Sequence, residues 1–275
     1  MKNYEKYGFY IIVRKMSSWG GRKKGINKAY EKIVDVKYGE FEPNYLDLYL
    51  PEQEKFDLVI WFHGGGMESG NRKRENLAEE FLKHGVAFAS AEYRMYPDAK
   101  FPQFIEDAAA AVAFLRNDKE LKKSVDRVFV SGQSAGAYLT MMLCLEPRFL
   151  KNAGADPEGI DGYISDSAQQ TVHFNVLRER GQDTRLERID EAAPLFYVNA
   201  DLKIKPLLML YYKDDMPVRP EQNKMMYKSL KRFLPDADIR LEELDGTHCS
   251  GSSEKEPDGS FRYVTSLLKF INNFN

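Results

Sequence analysis

A chain of 275 residues with 43% hydrophobic content is long enough to bury a sizeable core, and suits one large α/β domain better than two independent units. A formal charge of -2 and a pI near 6.2 argue against a nucleic-acid binder, which carries a basic excess. Two cysteines, Cys144 and Cys249, are too few for a disulfide framework, and Cys144 reads as a small core residue.

No apolar run approaches the roughly 20 residues needed to cross a bilayer, so no membrane partner is expected. At the start, the short apolar patch Phe9–Val13 has charge on both sides, unlike a signal peptide, and the expected location is cytoplasmic. Residues 1–30 mix aromatics with basic residues and glycines (Trp19 to Gly25) and read as an N-terminal arm across the domain. Its basic cluster is read as a solvated face.

Apolar and polar residues alternate from Lys32 to Tyr38 and from Tyr45 to Leu50, the pattern of half-buried strands, and Pro51 stops the second. Leu58–Phe62 is continuously apolar, as in a central strand covered on both faces. Three glycines follow at once in His63-Gly64-Gly65-Gly66-Met67. A plain turn needs fewer; bare backbone that must approach a ligand closely explains the run better. His63 is expected to hold this loop by hydrogen bonds rather than to act as a base.

Residues 74–84 have helical periodicity and end at Gly85, Val86–Ala91 is another buried strand, and Phe101-Pro102 introduces an alanine-rich helix through Arg116. A strand at 127–131 then runs through Gly132-Gln133-Ser134-Ala135-Gly136 into a helix over 134–145. Strand, tight turn carrying a serine, helix: this is the geometry of a nucleophile elbow. Small residues at 132 and 136 let strand and helix approach, and the helix presents its amides and positive dipole end near Ser134.

From Glu146 to Pro206 the alternation lapses. A strand at Ile160–Ser165 leads into a polar and charged segment, expected as a small lid at the carboxyl edge of the sheet over the site, with His173 within reach of substrate. A strand at Leu207–Tyr212, a helix over Pro220–Phe233, a strand at Ile239–Leu244 and a last helix over Phe261–Phe274 complete the core. Strands alternating with helices predict an α/β fold with a mainly parallel, doubly wound sheet in a single domain over 1–275, with about 146–205 as the lid region.

Ser134 needs a base, because an alcohol is protonated at neutral pH, and the base needs an acid to fix its tautomer. Asp214 or Asp215 and then His248 follow in chain order, each just after a predicted strand. Of the four histidines, His84 reads as an exposed helix-end residue. Only His248 combines a late strand end with a small, flexible approach through Gly246.

These motifs resemble the α/β-hydrolases of the hormone-sensitive-lipase-like kind. The resemblance rests on His63 to Gly66, Tyr93-Arg94 with Phe101-Pro102, Gly132 to Gly136 and Asp215-Met216-Pro217-Val218, over about residues 30–275. Within that group the chain resembles small bacterial esterases classed with carbohydrate acetyl esterases and feruloyl esterases, and also kynurenine formamidases. The resemblance implies oxyanion donors at the amides of Gly65, Gly66 and Ala135. It places the triad acid first in an Asp-x-x-Val pattern, which Asp215 fits, and Pro217 and Pro220 stiffen the loop behind it. The elbow commonly carries an acidic residue where this chain has Gln133. The segment from His173 to Gly181 also resembles one in some of these esterases.

The expected function is hydrolysis of a carboxylic ester through an acyl-enzyme on Ser134, with His248 as base and Asp215 orienting it. Met67, Gln133 and His173 are the expected substrate contacts. That chemistry needs no metal or organic cofactor. The partner is a small ester, with no nucleic acid; a homo-oligomer is compatible with the sequence. The polar lid favours a short acyl group on a soluble alcohol, an acetylated sugar leading. Amide cleavage on an N-formyl substrate is the second reading, and a silent binding protein on a hydrolase scaffold the third.

Overall fold

The computed structural model describes residues 30–273, so residues 1–29 of the expected N-terminal arm and Phe274, the expected last residue of the final helix, lie outside the described residues. Eight strands make one sheet: β1 (Tyr30–Lys37), β2 (Tyr45–Pro51), β3 (Phe56–Phe62), β4 (Ala87–Ala91), β5 (Val125–Gln133), β6 (Gly162–Asp166), β7 (Leu207–Asp214) and β8 (Ile239–Thr247). Their spatial order is β1-β2-β4-β3-β5-β6-β7-β8. The β1/β2 and β2/β4 pairs are antiparallel and all the rest are parallel.

Alternation within the central strands explains why both faces are covered. Leu58, Ile60 and Phe62 of β3, with Val128 and Val130 of β5, enter one apolar cluster. Val59, Trp61 and Phe129 enter the cluster on the opposite face. Each such side chain is almost fully buried, and burial of one contributes about 1.5–3 kcal/mol. Helices α1 (Glu75–Lys83), α2 (Gln103–Asn117), α3 (Leu121–Ser124), α4 (Ala135–Leu145), α5 (Arg148–Asn152), α6 (Phe174–Glu179), α7 (Arg219–Phe233) and α8 (Arg262–Asn272) complete the chain.

Their packing follows from composition. Every residue of α4 is buried, as expected of a helix apolar on all sides. By contrast, α8 buries Tyr263, Val264, Leu267, Phe270 and Ile271, a stripe at three- and four-residue spacing. Helix α1 sends Leu77 and Phe81 to the same face of the sheet, where Phe81 stacks on Phe88 at 5.2 Å between ring centres.

The expected α/β fold and its long elements are present, with shifted ends. Strand β5 runs on to Gln133 and β8 to Thr247, because backbone pairing with β6 and β7 carries them past the apolar residues. The short helices α3, α5 and α6 lie in stretches read from sequence as loop or charged segment; four to six residues are too few to show a period. The parallel half of the sheet sets four carboxyl ends in a row, so that Ser134 follows β5, Ser167 follows β6, Asp215 follows β7 and His248 follows β8. This row positions the site.

Candidate active site

Ser134 sits at the strand-to-helix turn with φ 54° and ψ -111°, a strained conformation for a residue with a Cβ. Its amide donates to the Asp166 carbonyl at 2.8 Å, and its carbonyl accepts from Tyr138 at 2.9 Å, so the strain is held from both sides. The turn is possible because its glycines face backbone. A Cβ on Gly136 would lie 2.1 Å from the Phe62 carbonyl oxygen, and one on Gly132 would lie 2.2 Å from that of Gly136.

The Ser134 Oγ lies 2.8 Å from His248 Nε2, and His248 Nδ1 lies 2.5 Å from Asp215 Oδ1. The carboxylate accepts only, so the proton is assigned to Nδ1 and Nε2 is left to accept the serine hydroxyl. Asp215 is fixed further by the amides of Tyr212 at 3.2 Å and Met216 at 2.7 Å. Burial pushes its carboxyl up, but the hydrogen bonds from His248 and Ser167 outweigh this and hold it below the ordinary carboxylate value. Asp214 ends β7 with its side chain exposed. Asp215, then, is the carboxylate on His248.

Across from the serine, the glycine loop is fastened so that particular amides face outward. His63 Nδ1 donates to the Gly64 carbonyl at 2.7 Å. In a trans peptide the carbonyl and the following amide point opposite ways, so this bond turns the Gly65 N–H away from the histidine. The Gly65 carbonyl likewise accepts from the Ser69 amide at 3.0 Å, which turns the Gly66 N–H outward. Among the described residues no hydrogen bond takes up the amides of Gly65, Gly66 or Ala135, the last being the first residue of α4. Gly64 brings the loop onto the elbow: a Cβ there would lie 3.2 Å from that of Ser134.

His63 is itself held from three sides. Its Nε2 pairs with Glu92 at 2.7 Å, Tyr93 stacks on its ring at 4.4 Å, and the Tyr93 hydroxyl donates to its carbonyl at 2.9 Å. Burial pushes the Glu92 carboxyl up, but His63 and Arg72 together hold it below its ordinary value. The structural role expected of His63 matches these contacts.

The cleft over Ser134 encloses about 670 Å³ and is lined by Gly64 to Gly66, Gln133, Phe174, Met216 and His248, with Glu68, Asn71, Lys73 and Arg74 at its polar side. A second cleft of about 660 Å³ lies apart from it beside Phe41, Arg94 and Phe149. Among the described residues no cluster of His, Cys, Asp or Glu could hold a metal ion, and no helix is long and apolar enough to cross a membrane.

Of the three expected substrate contacts, only Gln133 lines the cleft. Met67 is fully buried in the core, and its carbonyl accepts from Tyr96 at 2.7 Å. His173 is also buried; its Nδ1 accepts from the Asn175 amide at 3.2 Å and so caps α6. Burial, with Arg219 and Arg178 nearby, drops its pKa to about 3 and keeps the ring neutral. Both residues were placed near substrate by their neighbours in sequence, but the chain turns their side chains inward.

Sequence reading missed Phe174 and Asn175. The Phe174 ring covers the glycine loop so closely that a Cβ on Gly66 would lie 2.6 Å from its Cζ. The Asn175 side-chain amide donates to the Gly66 carbonyl, and Arg178 pairs with Glu68. The stretch from Gln169 to Leu177, expected as hydrophilic surface, is mostly buried: Gln170 donates to Asn223 at 3.0 Å and packs against α7. Only from Arg178 onward does the segment turn mostly to solvent.

Asp166 lies under the site, fully buried, with neither carboxyl oxygen meeting a donor in good hydrogen-bond geometry. Burial pushes its carboxyl up to about 8, the Asp215 charge adds to this, and Tyr212 and Arg74 oppose it. Cys249 donates to the Asp166 carbonyl at 3.7 Å from within the core.

Residues 46–177 match the BD-FAE family model. A probable isoprenylcysteine alpha-carbonyl methylesterase of Arabidopsis thaliana is 24% identical over 238 residues, 76% of this chain and 49% of that protein. A tuliposide A-converting enzyme of Tulipa gesneriana is 26% identical over 261 residues, 83% of this chain and 65% of that protein. The chain thus spans about half to two thirds of the length of these relatives. Among solved structures, a truncated carbohydrate esterase from gut microbiota shares the fold with a TM-score of 0.69 at 16% identity, covering 91% of this chain and 99% of that one.

Proposed function

We propose that this chain, whose residues 46–177 match the BD-FAE family model, is an α/β-hydrolase of the hormone-sensitive-lipase-like type that hydrolyses carboxylic esters through an acyl-enzyme on Ser134. One observation carries this reading: the unbroken series Ser134 Oγ, His248, Asp215, with spacings of 2.8 Å and 2.5 Å, opposite a loop whose Gly65 and Gly66 amides meet no acceptor among the described residues.

In this reading His248 Nε2 takes the Ser134 proton as Oγ attacks the ester carbonyl. Charge then develops on the carbonyl oxygen, and the amides of Gly65, Gly66 and Ala135 receive it. A single donor of this kind is worth about 3 kcal/mol in comparable sites. Collapse expels the alcohol with the His248 proton, and a water deprotonated by the same ring releases the acid. Every proton moves between oxygen and one nitrogen, so the scheme asks for no cofactor.

The substrate we infer has a short acyl group. Phe174 stands over Gly66 and limits the space beside the oxyanion loop, while Glu68, Asn71, Lys73 and Arg74 offer polar contacts to the alcohol. An acetylated sugar fits that combination, and the fold-sharing neighbour described as a carbohydrate esterase supports it. We take the described residues 30–273 as one domain in which, of the expected 146–205 region, β6 belongs to the sheet and the segment after it, residues 167–205, forms a small lid, a reading supported by α6 tying that segment to the oxyanion loop. Rates on p-nitrophenyl acetate and butyrate, set beside N-formyl amides, test the reading. Efficient ester turnover supports it; faster turnover of the formyl amides points to an amidase, and no turnover of either contradicts it.

A further inference from the structure

Between the strand ends that carry Ser134 and Asp215 lies that of β6, and the residue there has no part in the mechanism described above. Ser167 is fully buried and has φ 61°, in the left-handed region where glycine is the comfortable residue. Strain of this kind persists only where surrounding contacts impose it, and it concentrates at working sites. Here the contacts are plain. The Ser167 amide donates to the Leu210 carbonyl at 2.8 Å, and its carbonyl accepts from Arg219 Nη1 at 2.9 Å.

Held this way, the side chain enters the charge relay. Its hydroxyl donates to Asp215 Oδ2, the oxygen that His248 does not use, and its Oγ also lies 3.1 Å from His248 Nδ1. We propose that Ser167 is a positioning residue of the hydrolytic site, a fourth member that fixes the Asp215 carboxylate and moderates its charge toward His248. The proposal rests on the esterase reading of Ser134, but its contacts are independent of any substrate.

The direction of its effect follows from who donates. The Nδ1 proton of His248 is directed to Asp215 Oδ1, so the Ser167 proton goes to Oδ2 and withdraws charge from the carboxylate. Without that donor the carboxylate holds the imidazolium more strongly, and His248 becomes the free base only at higher pH. Other groups facing the cluster are Asp166 at the end of β6, Cys249 beside His248, and Arg219 on α7 with Glu187 behind it. Each is unchanged by removing one hydroxyl, so a shift on removal belongs to Ser167.

Alanine removes the hydroxyl but keeps the backbone strain, whereas glycine removes both. The full chain and its Ser167→Ala and Ser167→Gly variants are therefore compared in kcat and KM on p-nitrophenyl acetate against pH, in thermal melting, and in the NMR titration of the low-field His248 Nδ1 proton. In both variants we expect kcat to fall about tenfold with KM within about twofold, as for a group acting only through the base. The acid limb and the His248 titration should both move up by about half a pH unit, and the glycine variant should melt no lower than the alanine variant. Wild-type rates and an unmoved acid limb in Ser167→Gly would make the serine merely a turn residue and overturn the proposal. Should the wild type hydrolyse no ester, the esterase reading fails by itself. The NMR titration then decides alone: an upward shift supports the role of Ser167, and an unmoved titration refutes it.

Discussion

Replacing Asp215 by asparagine is the sharpest perturbation the geometry offers, because the side chain is buried and every oxygen lone pair on it is spoken for. Oδ1 receives His248 Nδ1–H at 2.5 Å and the Met216 amide at 2.7 Å, while Oδ2 receives Ser167 and the Tyr212 amide at 3.2 Å. An asparagine must turn its NH2 toward one of these sets, and each contains a fixed backbone donor. If the NH2 faces His248, the ring must accept at Nδ1 and carry its proton on Nε2, pointing at Ser134. The serine then loses its proton acceptor. Loss of the correct tautomer lowers kcat by about ten-thousandfold, equivalent to about 5.5 kcal/mol of barrier. Asp214 is exposed one residue away, so Asp214→Asn should stay within about threefold of wild type. Both variants are assayed side by side on p-nitrophenyl acetate, with circular dichroism to check folding. A folded Asp215→Asn protein that keeps a tenth of the wild-type rate, or an equally crippled Asp214→Asn, refutes the argument.

Ser134→Ala should lower turnover by on the order of a millionfold, because the base then has no proton to take, and should fold normally; a folded variant with measurable steady turnover contradicts the assignment. Phe174→Ala should open the space over Gly66 and raise the relative rate on p-nitrophenyl octanoate over acetate by about tenfold, as befits one to two kcal/mol of apolar contact; an unchanged chain-length profile means the ring does not border the acyl group. For Asp166 the sign is set by a carboxyl raised to about 8 in the folded chain against about 4 unfolded. The folded state keeps a proton that the unfolded state has released, so this group costs more stability as pH rises from about 4 to about 8. Asp166→Asn should therefore melt progressively higher than wild type as pH is raised through that window, and a constant difference would show that Asp166 does not titrate there.

The parts of this molecule that were legible in the sequence are those where local chemistry and global fold agree. The run Leu58–Phe62 cannot be a surface strand, and it lies at the centre of the sheet. The spacing Gly132-Gln133-Ser134-Ala135-Gly136 permits only a backbone that passes within contact of its neighbours, and the measured approaches at 132 and 136 explain the pattern. Residues 167–178 were not legible in this way. Their polar composition reads as surface, but Gln170 and Asn175 are buried by partners far away in sequence, on α7 and the glycine loop, and His173 packs edge-on against Tyr138 of α4. Met67 failed for a related reason. Adjacency to a functional loop says nothing about which side of the backbone a side chain takes. Ser167 had no local signal either, since its significance lies in β6 standing between β5 and β7.

The most direct test of the central claim is to trap the acyl-enzyme. The full chain is mixed with p-nitrophenyl butyrate, quenched in acid during turnover, digested and mapped by mass spectrometry. A butyryl group on the peptide carrying Gly132 to Gly136, localised to Ser134 and absent in Ser134→Ala, is the predicted result. Active turnover with no adduct at Ser134, or with the group on another residue, would contradict it.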